Sequence, residues 1–100
     1  EAARVFSERI LVQGGDDFSS RLRFAFKLAL QREPAVEEKK VFERLFDRHL
    51  GLYKAEPDAA RALVSTGDWP AADQLEKAEH AAWTSVARVI LNLHETLVRY

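Results

Sequence analysis

The chain has 100 residues, 47% of them hydrophobic and 31% charged, and a net charge of −1. That size and balance describe one folded domain with a modest core and no general pull toward nucleic acid or anionic membrane. Cysteine is absent, which excludes disulfides, thiolate nucleophiles, CxxC zinc sites and the CxxCH haem attachment.

Residues 1–13 place Ala2, Val5, Phe6 and Ile10 on one helical face, and Gly14-Gly15 then ends the helix. Methionine is absent, and Glu1-Ala2-Ala3-Arg4 starts in helical register without a capping residue. No signal peptide is visible. The expectation is a piece of a longer protein, cut inside or just before a helix.

Asp16 or Asp17 is a suitable N-cap for a second helix running to about Arg32. Its inward face is Phe18, Leu22, Ala25, Phe26 and Ala29, with Phe24, Leu28 and Leu30 on the shoulders. Pro34 suits the first turn of a third helix, where its missing N–H would have no partner anyway. Val41, Phe42, Leu45, Phe46, His49, Leu52 and Tyr53 form the apolar stripe of that helix. Gly51 interrupts it as an early end, a close crossing or simple tolerance. Glu56-Pro57-Asp58 breaks the pattern, and Asp58 caps a short helix to about Val64. Residues 65–74 form the longest irregular segment, with Trp69 expected to pin it to the rest.

The final helix starts near Glu76 or Lys77 and organises the fold. Ala82, Val86, Val89, Ile90, Leu93 and Leu97 share one side, flanked by Trp83, Leu91 and Val98, with Trp83 expected to be mostly buried. Arg88, Asn92, Glu95 and Arg99 share the other. Arg88 and Asn92 also break the longest apolar runs, far short of the ~20 residues of a membrane span. The whole reads as an all-α bundle of four to five helices with the long C-terminal helix central, and shows no internal repeat and no β-alternation.

No pattern spells out a reaction. His49, His80 and His94 have no i, i+3 or i, i+4 pairing, and His80 and His94 stand about 21 Å apart along one helix, so no metal or other cofactor is expected. His49 reads as a half-buried ring beside Tyr53, His80 as partly exposed near the first turn, and His94 as a boundary residue. Ser7, Ser19, Ser20, Ser65 and Ser85 lie outside any nucleophile elbow. Glu37 and Glu38 sit at a helix start, where the dipole explains them. The Arg21, Arg23, Lys27 and Arg32 group reads as a solvated basic face, since Glu8, Asp16, Asp17 and Glu33 lie close in sequence. The line Arg88, Asn92, Glu95 and Arg99 has two readings. One is a solvent face with a Glu95–Arg99 pair; the other, favoured because Asn is a mediocre helix former, is a structural docking line.

Trp83, Ala87-Arg88-Val89, Leu91-Asn92-Leu93 and Glu95 also resemble the terminal helix of a domain of unknown function. That domain closes very large secreted planctomycete proteins, which usually begin with a cytochrome-c-like domain. RLRFAFKLALQREP at 21–34 resembles the same family's Arg-rich helix, and the opening EAAR…ER resembles the helix before it. His94 departs from the family, standing where an acidic residue beside Glu95 is expected, and leaves no acid pair there. The resemblance implies a context and no catalyst: a non-catalytic, secreted or periplasmic C-terminal domain packing against upstream domains of its own chain. The alternative is a ligand-binding module, for a polysaccharide, stacking sugars on an exposed Trp83 or Trp69.

Overall fold

A computed structural model describes residues 2–56 and 77–98, with side chains through His94 in the last helix. Among the described residues four helices occur in this order: α1 (Ala2–Gln13), α2 (Phe18–Leu30), α3 (Val36–Ala55) and α4 (Lys77–Val98). There is no strand among the described residues, and the architecture is an all-α bundle. The radius of gyration is 13.0 Å. The expected fifth helix from Asp58 and the segment carrying Trp69 lie outside the described residues.

Local chemistry sets the ends of α1 and α2. The Gly14 N–H donates to the Ile10 carbonyl at 2.8 Å, and Gly15 takes a φ of +97°, which closes α1. Gly14 is also a point of close approach. A Cβ there would overlap the Ile10 carbonyl oxygen and stand 3.2 Å from the Arg21 backbone. Asp17 caps α2 by accepting from the Ser20 N–H at 2.7 Å, and that hydrogen bond holds its carboxyl below the usual carboxylate range. α2 stops at Leu30, two residues short of the expected end, because Gln31 enters the left-handed region with φ +57°. Arg32, freed from the helix, forms a two-pronged pair with Glu38 at 2.7 and 2.8 Å. Glu38 also accepts from the Ala35 N–H at 2.9 Å, so the start of α3 is held from both sides. Pro34 therefore precedes the cap instead of occupying the first turn.

Every other helix packs against α4. Its middle is buried nearly all round: Ala81, Ala82, Trp83, Val86, Ala87 and Ile90 are at 0% exposure. Trp83 is the hub. Its ring stacks on Phe18 of α2 at 5.3 Å between centroids and meets Phe46 of α3 at 5.1 Å. Phe18 and Phe46 close the triangle at 5.3 Å. A second pair, Phe26 edge-on to Phe42 at 5.4 Å, joins α2 to α3, and the Arg32 guanidinium lies over Phe26 at 5.2 Å.

Three expected faces are corrected by this packing. In α1 the buried residues are Ala3, Arg4, Ser7, Ile10 and Leu11, while Val5 is 50% exposed and Ala2 is exposed. The helix is rotated toward its polar side because Arg4 and Ser7 find partners on and beneath it. In α3 only Phe42 is buried, and Val41 and Leu52 are exposed, so its contact face is narrower than its apolar stripe. On α4, Val89 sits at 36% exposure, on the edge of the outer face.

Two outcomes follow. Trp83→Ala removes the ring shared by three helices and is expected to cost ~3–5 kcal/mol in denaturant melts. Against a total stability of ~5–15 kcal/mol, the variant should be near unfolding at 37 °C. Glycine substitutions should split in sign. A Cβ at Gly51 meets nothing within 4 Å, so Gly51→Ala should stabilise by up to ~1 kcal/mol, whereas Gly14→Ala should destabilise. Equal melting temperatures for the two variants would contradict this packing.

Candidate functional site

The predicted docking line begins on the outer side of α4. Arg88 and Asn92 are exposed one turn apart, and the half-buried Ser85 precedes them along the same stripe, with Val89 beside it. The residues behind them, Val86, Ala87 and Ile90, are fully buried. The stripe is thus a polar surface on the best-anchored helix of the bundle. The Glu95 side chain and Arg99 lie outside the described residues, so the line is defined structurally at its first two members.

A second polar constellation lies under the surface, between α1 and α4. Arg4, Ser7, His80 and Thr84 are 8%, 0%, 1% and 2% exposed. Ser7 Oγ and Thr84 Oγ1 stand 2.9 Å apart. Each hydroxyl also reaches a carbonyl of its own helix, Ser7 to Arg4 O at 2.7 Å and Thr84 to His80 O at 2.9 Å. Two hydroxyl protons serve three contacts, so one contact is always shared. Arg4 Nη1 donates to Glu8 Oε1 at 2.7 Å. His80, expected to be partly exposed, is buried instead. Burial pushes its pKa below the ordinary imidazole value, and the Arg4 guanidinium adds to that push. A hydrogen bond with the Arg4 backbone works in the opposite direction. A buried histidine held toward its neutral form and two buried hydroxyls bonded to backbone and to each other form a polar seam between the two helices.

The period of residues 1–13, which puts Ala2, Val5, Phe6 and Ile10 on one face, gives no direct sign of this seam. The signal available was spacing. Ser7 lies one turn from Arg4, Ile10 and Leu11, and Thr84 lies i+4 from His80, so each polar pair shares a face with core residues.

The basic group of α2 is engaged within the fold. Arg21 bonds Glu79 of α4 at 2.6 Å and the Gly15 carbonyl at 3.1 Å, tying the α1–α2 turn to the start of α4. Arg23 and Lys27 approach Glu33 at 3.4 and 3.9 Å, both well exposed, where such pairs are weak. Arg32 is taken up by Glu38, whose carboxyl it pulls down to about 2. Of the other histidines, His49 is half-buried with its ring 6.0 Å from Tyr53. His94 is exposed and lines an open cleft of about 280 Å³ with Phe6, Leu28, Ala29, Gln31 and Leu91. Among the described residues no three histidines or carboxylates come close enough to share a metal ion, and no helix is long and apolar enough to cross a membrane. No protein-family model, curated protein or solved structure matches the chain.

The seam makes a measurable claim. Ser7→Ala and Thr84→Val should each cost ~1–3 kcal/mol, because each leaves a buried partner without its hydroxyl. The double variant should cost less than the sum, since its second change removes a group already orphaned. Denaturant melts of the four proteins test it, and strict additivity would show that the two hydroxyls do not work as a pair.

Proposed function

We propose that this chain is a non-catalytic helical domain that packs against and positions other domains of a larger secreted protein. The partner surface belongs to upstream domains of the same chain, and the outer stripe of α4 receives it. The observation that carries this reading is the pair Arg88 and Asn92, standing exposed on the helix whose opposite face every other helix grips. A side chain on such a helix is presented with little positional freedom, which is what orienting a neighbouring domain requires. Guanidinium and carboxamide groups together offer both donors and an acceptor to a facing backbone. The sequence resemblance to a domain that closes large secreted planctomycete proteins agrees with that role.

The polysaccharide-binding alternative has lost one of its two aromatic platforms. Trp83 is fully buried between Phe18 and Phe46, so no sugar can stack on it. Trp69, the other platform, lies outside the described residues.

Exposure of Arg88 and Asn92 sets the expected result. In the isolated chain Arg88→Ala should melt within ~0.5 kcal/mol of the parent, and Asn92→Ala within ~1 kcal/mol, since Asn92 has an interaction of its own within the fold. Binding to the upstream domains supplied as a separate chain should weaken by about tenfold or more for each, corresponding to ~1.4 kcal/mol or more. Titration calorimetry reads that loss. Unchanged affinity for both variants would rule out this stripe as the docking face.

A further inference from the structure

We draw no further inference here: the strongest candidate, the open cleft of about 280 Å³ between α1, α2 and α4 that is lined by Phe6, Leu28, Ala29, Gln31, Leu91 and His94, is an unpartnered, mainly apolar face, and nothing in the structure shows what covers it.

Discussion

The contact on which the rest of this structure depends is the Trp83 ring held between Phe18 and Phe46. Three helices contribute one aromatic each, with centroids 5.1 to 5.3 Å apart, so the position of each helix is set by the other two. A flat indole offers a large area with few internal rotations, and its burial therefore fixes geometry as well as adding stability. Helix α3 shows the consequence. It has only one buried side chain, Phe42, yet it is located by its partly buried neighbours, above all Phe46.

The fourth helix, α1, does not join that triangle. It is held by Ile10 and Leu11 at one end and by the polar seam at the other. Buried hydroxyls and a buried arginine contribute less net stability than apolar residues of the same size, but they define register, since a shift of one residue separates Ser7 from Thr84. The bundle therefore has two kinds of attachment: an aromatic one that joins α2, α3 and α4, and a polar one that seats α1 on α4.

Charge is handled locally. Arg21, Arg23, Lys27 and Arg32 each approach a carboxylate within the fold, so a sequence that shows a basic helix yields little free basic surface there. Arg88 and Asn92 are exposed on α4 instead, backed by the buried Val86, Ala87 and Ile90.

By itself the sequence determined the helical class, the stop at Gly14-Gly15, a cap at Asp16 or Asp17, the start of the last helix near Lys77 and the burial of Trp83. Each of these follows from local rules: a φ that glycine tolerates, a side chain that reaches a free N–H, a period of 3.6, and a ring too large to leave wet. Tertiary structure alone decided which way each helix turns within its apolar arc. Val5, Val41, Leu52 and Val89 belong to arcs wider than the contact available, so all four end at the surface or its edge. It also decided that Arg4, Ser7, His80 and Thr84 belong inside. Polarity along one helix cannot show that a hydroxyl 77 positions away will stand 2.9 Å from Ser7, and only that partner makes the burial affordable.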